Sequence, residues 1–171
     1  MKIVHVNKLY SCIGGIENYV YNLTRDLAYK YRADTTVLAS SRKMRTEVTC
    51  HERLKIIQLA STPKILRMPV SPLLYTYLSK FTDFDIIHFH HPFPLAELAS
   101  LALKFKGKIV VTWHSDIIHQ KMALKFYSPF IHKFLSRADA ICTTSHNYLY
   151  SSDFLGPYKQ KCSVIPLGVR Y

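Results

Sequence analysis

The sequence predicts an α/β fold, a doubly wound parallel sheet with helices on both faces, and three observations lead there. Short β-branched or near-continuous apolar runs alternate along the chain with segments of three- and four-residue apolar spacing, as strands buried on both faces alternate with amphipathic helices. The connections are polar or carry glycine and proline, and such crossovers run right-handed. The 171 residues suffice for one core and fall short of two, while 49% hydrophobic and 13% aromatic content excludes a disordered chain.

Lys2–Val6 is the first strand, followed by a polar loop from Asn7 to Gly15. A helix follows in which Ile16, Tyr19, Val20, Leu23, Leu27 and Tyr31 form the core-facing stripe. Thr35–Ala39 is the second strand, Arg42–Arg45 a basic loop, Leu54–Leu59 the third strand, and Ser61–Pro72 a proline-punctuated connection. A helix over Leu73–Lys80 leads to the strand Asp85–His90, and a helix over Leu95–Lys104 to the strand Lys108–Trp113. The spacing then predicts a long helix over Ile117–Ser136, with Ile118, Met122, Phe126, Phe130 and Phe134 along one side. A strand at Ala138–Thr143, a short helix near His146 and a strand at Cys162–Ile165 complete the pattern.

In open α/β sheets, ligands bind beyond the carboxyl ends of the strands, so chemistry is expected just after each strand. That rule selects Gly14-Gly15, His90-His91-Pro92, His114-Ser115-Asp116 and Ser145-His146. Gly14-Gly15 before a helix lets backbone N–H groups approach an anion, although a plain tight turn has the same signature. Glu17 in the first helical turn suits the helix dipole. His88 and His90 share one strand face, yet no cysteine or carboxylate stands at ligand spacing, which favours a polar strand end over a metal centre. His114 is a candidate hydrogen-bonding or acid–base group at a strand end, expected to face the crevice, with Asp116 to orient it or bind polyols; a satisfied structural histidine is the alternative. The G-x-S-x-G elbow, the Walker A loop and the G-x-G-x-x-G fingerprint are absent, which argues against a serine hydrolase, an NTPase or a dehydrogenase.

Lys plus Arg outnumber Asp plus Glu by 23 to 11, a formal charge of +12, which points to anionic partners: phospholipid, nucleic acid or phosphate-bearing substrates. No window approaches the ~18 apolar residues of a membrane span and the chain opens directly on a strand, so neither a span nor a secretion signal is expected. Cys12, Cys50, Cys142 and Cys162 are scattered, so a reducing, cytoplasmic setting is expected.

Gly14-Gly15-Ile16-Glu17, Asp85-Ile-Ile-His-Phe-His-His91, Val111-Thr-Trp-His-Ser-Asp116, Ala138-Asp-Ala-Ile-Cys-Thr-Thr-Ser145 and Val164-Ile-Pro-Leu-Gly168, taken together and in order, resemble the retaining glycosyltransferase family 4 pattern. They look most like the bacterial members that transfer mannose or rhamnose onto cell-surface polysaccharide. The resemblance implies a GT-B enzyme: two Rossmann-like domains facing a cleft, the first holding the acceptor and the second most of the nucleotide-sugar, with no metal cofactor. It places Gly14 and Gly15 near the donor diphosphate and acceptor, and His114 near the donor sugar as the catalytic candidate. It casts His90, Asp116 and Ser145 as substrate- or donor-binding. Residues 1–168 then form the acceptor-side domain and 169–171 the start of a linker, the family's E-x7-E motif belonging to a second domain not in this sequence.

The rival reading is a non-catalytic basic module. Arg42, Lys43, Arg45, Lys64, Arg67, Lys121 and Lys125 would dock on anionic membrane or nucleic acid, with Ile65, Leu66, Met68 and Val70 inserting around two of the charges. Nucleic acid is disfavoured because no binding motif accompanies the charge. Membrane docking at Arg42, Lys43, Arg45, Lys64 and Arg67 is compatible with an enzyme whose acceptor is lipid-linked.

Overall fold

The computed structural model describes residues 1–65, 68–116 and 121–167, with side chains at 1–62, 70–116 and 125–167. Ten strands occur among these residues: β1 (Lys2–Leu9), β2 (Asp34–Ser40), β3 (Glu47–His51), β4 (Leu54–Leu59), β5 (Thr62–Ile65), β6 (Met68–Val70), β7 (Ile86–His91), β8 (Lys108–Trp113), β9 (Ala140–Thr143) and β10 (Cys162–Val164). The α-helices are α1 (Gly15–Arg25), α2 (Leu74–Ser79), α3 (Pro94–Leu101), α4 (Lys121–Arg137) and α5 (His146–Ser151). Eight strands form one sheet in the order β10-β9-β8-β7-β1-β2-β4-β3, and β5 and β6 form a separate ribbon. Every neighbouring pair in the large sheet is parallel except β3–β4.

The chain starts in the middle of the sheet, moves outward through β2 and β4, then returns to the other side of β1 at β7. The strand order therefore reverses between β1 and β7, and the ligand crevice of such a sheet lies at the carboxyl ends of those two strands. One face carries the main apolar core, where Val6, Ile87, Phe89, Val111, Trp113, Ile131, Phe134 and Leu135 are buried. Tyr10, Val20, Val37 and Ala39 form a smaller cluster on the α1 face. Alternation along β7 divides its residues between the two: Ile87 and Phe89 join the main core, so His88 and His90 point toward α1.

The predicted alternation of strands and helices is present, with four differences. Strand β3 lies where no strand is expected; its five side chains are exposed or nearly so, so no apolar alternation marks it and its place comes from backbone pairing to β4. The proline-punctuated connection contains the β5–β6 ribbon. Tyr31 leaves the predicted stripe at 66% exposure, because the helix widens to a π turn over Asp26–Lys30 and brings Ala28 inward instead. Phe126 and Phe130 are also exposed, at 79% and 47%. Steps of four residues drift by about 40° each around a helix, so that row leaves the core face that Ile131, Phe134 and Leu135 occupy. Ile117 and Ile118 lie outside the described residues, and the side chain of Met122 lies outside those described. No helix of the described residues is long and apolar enough to cross a membrane.

A buried carboxylate ties α3 and α4 to β7. Glu97, 1% exposed, accepts from His91 Nδ1 at 2.9 Å and from the Phe93 backbone N–H at 2.7 Å on one oxygen, and from the Tyr127 hydroxyl on the other. Burial opposes ionisation of Glu97, but His91 and these hydrogen bonds outweigh it and hold the carboxyl below its ordinary value. Burial and the adjacent Glu97 charge push the Tyr127 phenol up. Glu97→Ala strands three buried donors and is expected to cost ~3–5 kcal/mol in a denaturant titration. Glu97→Gln, which keeps an acceptor, is expected to cost clearly less.

Candidate active site

Alternation along three adjacent strands gathers a polar patch under α1. His5 of β1 pairs in register with His88 of β7, and His90 of β7 with Thr112 of β8. His114 follows two residues after Thr112 on the same face. His5 Nδ1 and His90 Nε2 meet at 3.1 Å, and His90 Nδ1 and His114 Nε2 at 3.3 Å. His88 Nε2 meets Thr112 Oγ1 at 2.7 Å, and its ring stacks on His90 with centroids 4.3 Å apart. Tyr19 of α1 covers the group, its ring 5.2 Å from that of His114 and edge-on. The Tyr19 hydroxyl and the Cys142 thiol are neighbours of Thr112.

Burial sets the protonation of these rings. His5 is fully buried and held down at about 3 by desolvation alone. Desolvation first, and then the neighbouring rings, keep His88 and His90 well below 6.5. His114 is 8% exposed and lowered to about 4, chiefly by burial and secondly by His91. All four are neutral at pH 7, so each ring presents one donor and one acceptor nitrogen.

His5, His88 and His90 each offer a ring nitrogen within 4.8 Å of the others, which makes them the candidate metal ligands among the described residues. The donor set fits a metal poorly. The ring nitrogens are already engaged, His5 Nδ1 with His90 Nε2 and His88 Nε2 with Thr112 Oγ1, and no carboxylate or thiolate joins them, so an ion would have to break these contacts to bind. The arrangement suits a hydrogen-bonded cluster.

The structure brings His90 and His114 together and gives the other predicted residues different tasks. His90 is 1% exposed with both nitrogens engaged, so a ligand meets His114 before His90. Asp116 does not hydrogen-bond His114. Its Oδ1 accepts from Trp113 Nε1 at 2.7 Å and Ser152 Oγ at 2.9 Å, and its N–H donates to the Tyr148 hydroxyl at 3.2 Å, which ties the loop after β8 to α5. Ser145 caps α5, its Oγ accepting from Tyr148 N–H at 3.2 Å. Gly14 is the N-cap of α1 at φ 101°, a conformation that favours glycine, and a Cβ there would meet Glu17 Oε2 at 2.5 Å. A Cβ on Gly15 would meet open space. The Glu17 carboxylate thus lies against the loop that a phosphate would approach and would have to swing aside for one.

The basic loop is placed differently from a flat membrane face. Arg42 and Lys43 line an open cleft of about 230 Å³ with Leu9, Ser11, Ser41 and Gln58, at the carboxyl ends of β1 and β2. A larger cleft of about 300 Å³, lined by Thr36 and Lys55 among others, lies toward the opposite ends of the strands. Lys43 and Arg45 both pair with Glu47, at 2.9 and 2.7 Å, which lowers the Glu47 carboxyl and offsets part of their charge. Arg67 lies outside the described residues, as do the side chains of Lys64 and Lys121. Glu47→Gln, by releasing both cations, is expected to strengthen co-sedimentation with anionic vesicles about fivefold at low salt and to leave neutral vesicles unaffected.

A mostly parallel sheet whose strand order reverses between β1 and β7 is the α/β fold of the GT-B glycosyltransferases. Sucrose-phosphate synthase from Thermosynechococcus elongatus superposes with a TM-score of 0.66 at 18% identity, over 98% of this chain and 48% of that one. Anabaena HepE in complex with UDP-glucose superposes at 0.63 and 16% identity, over 99% and 44%. The chain belongs to Glycosyltransferase Family 4, whose profile matches residues 13–170. It is 34% identical to O-antigen chain mannosyltransferase C of Escherichia coli and 30% identical to D-rhamnosyltransferase WbpZ of Pseudomonas aeruginosa, in both cases over 99% of its length. It spans 46% and 45% of those two relatives.

Proposed function

We propose that this chain is the acceptor-side half of a retaining hexosyltransferase that moves mannose or rhamnose from a nucleotide-sugar to a cell-surface glycan or lipid-linked acceptor. The observation that carries the reading is the neutral His114 ring beside the switch point, in a chain whose curated relatives are named for mannosyl and rhamnosyl transfer. In it, His114 hydrogen-bonds the donor sugar, and the α1 amino terminus at Gly14-Gly15 borders the donor diphosphate and the acceptor. The cleft at Arg42 and Lys43 suits an acceptor that carries phosphate, and the same cations draw the protein to an anionic membrane surface. The reaction runs without a metal cofactor. Charge on the departing diphosphate is met by basic groups of a second domain.

Turnover by the intact protein against nucleoside-diphosphate mannose, rhamnose and glucose, with the anomeric configuration of the product read by NMR, tests the proposal. Transfer of mannose or rhamnose with retained configuration is expected. Inverted configuration, or a clear preference for glucose, contradicts it.

A further inference from the structure

We propose that His5 and His90 are positioning residues that act on His114 through a one-way imidazole chain. His5 Nδ1–H donates to His90 Nε2, and His90 Nδ1–H donates to His114 Nε2, which leaves His114 Nδ1–H as a donor for an oxygen of the bound sugar. The two contacts, 3.1 and 3.3 Å, link the three rings in series. Each ring is neutral at pH 7 and carries one proton, so the protons must all sit on the same side of each ring for both bonds to form.

Two polarities satisfy that condition, and the ends of the chain distinguish them. His5 Nε2 and His114 Nδ1 are both buried without a partner. In the reverse polarity His5 would bury an unmade N–H donor in the interior of the sheet, at zero exposure, where no ligand comes. Buried N–H groups without acceptors are rarer than buried lone pairs without donors. In the forward polarity the deep end of the chain is a bare lone pair, and the unmade N–H falls on His114, the ring at the strand end. A sugar oxygen that accepts from His114 completes the chain. His88 stays outside it, held by Thr112, stacked on His90 and tilted against His5, so it packs the two rings and does not set their protons. Tyr19 closes the assembly over His90 and His114, keeping water from competing for the ring nitrogens.

The inference rests on the transferase reading only for what the donor binds; the proton pattern is a property of the protein itself. Two-bond proton–nitrogen correlations on the ¹⁵N-histidine-labelled intact protein at pH 7 read it directly. His5, His90 and His114 are expected to be protonated at Nδ1 and bare at Nε2. An Nε2-protonated His114 or His90 overturns the proposal, whether or not the protein transfers sugar. The kinetic arm uses His5→Leu, which removes the first donor, and His5→Asn, whose amide N–H stands near the place of Nδ1. His5→Leu is expected to lower kcat about tenfold with KM less affected, and to mix the tautomers of His114. His5→Asn is expected to recover most of the rate and the Nδ1-protonated signal. Loss of rate in both variants with an unaltered His114 tautomer shows a packing role alone and overturns the chain.

Discussion

Between pH 6.5 and pH 5 the folded protein is expected to lose several kcal/mol of stability, before its carboxylates titrate. His5 and His114 are held at about 3 and about 4, and His88 and His90 are shifted in the same direction by burial. In the unfolded chain the same rings titrate near 6.5. Below that pH the unfolded state takes up protons that the folded state refuses, so stability rises with pH across the window and falls on acidification. Each ring that stays neutral across the window withdraws ~1.4 kcal/mol per pH unit, so His5 and His114 alone remove a few kcal/mol, and His88 and His90 act in the same direction. Glu97 acts in a lower window. Its depressed carboxyl stabilises the fold above 4.5, and that stability is lost as pH falls through the folded value. Tyr19 and Cys142, which face the cluster from α1 and β9, are both raised and take no part at acid pH. Denaturant midpoints at pH 7, 6 and 5 check the expectation; an unchanged midpoint across the three shows that the rings are protonated in the fold. His5→Leu, which removes one titrating ring, is expected to flatten the slope.

His114→Ala is expected to lower the transfer rate of the intact protein by ~10²-fold, the scale of losing one well-placed hydrogen-bond donor at a reacting centre. The ring packs edge-on against Tyr19 and accepts from His90 Nδ1–H, so its removal leaves a gap and one stranded buried donor but no stranded charge. The variant should fold, with a stability lower than the parent's by ~1–3 kcal/mol for the stranded His90 donor. A rate within about twofold of the parent across the donor panel would remove His114 from the mechanism. The loss should lie mainly in kcat, because a hydrogen bond that strengthens as the sugar develops charge acts on the transition state more than on ground-state binding.

The sheet is legible in the sequence wherever burial imposes a period. Strands β1, β2, β4, β7, β8, β9 and β10 and the core of α1 follow from apolar spacing, because each of those strands packs at least one face against a core. Strand β3 is illegible for the same reason in reverse, its side chains meeting little but solvent. The rule that chemistry follows strand ends found His90 and His114, and the family resemblance gave each a contact of its own with substrate. Their connection to each other, and the part of His5, depend on strand register: His5 and His88 are 83 positions apart and meet only because β1 pairs with β7. The one local sign of His5 is a polar residue in the middle of a buried β-branched run. Asp116 and Ser145 show what local structure adds to such a reading. Residue type and position suit ligand binding, and the structure adds local partners that spacing does not announce: Trp113, three residues back, donates to Asp116 Oδ1, and the N–H of Tyr148, three residues on, donates to Ser145 Oγ.

The proposed function requires that a nucleotide-sugar be held at the carboxyl ends of the strands, against His114 and the start of α1. The most direct test is an amide chemical-shift titration of the isotope-labelled intact protein with nucleoside-diphosphate mannose. Saturable shifts at Gly14, Gly15, His114 and Ser115 are predicted, with none at Thr36 or Lys55, which line the cleft toward the opposite ends of the strands. Shifts confined to Thr36, Glu52 and Lys55, with Gly14 and His114 unmoved, would place the ligand at the wrong ends of the strands and contradict the account.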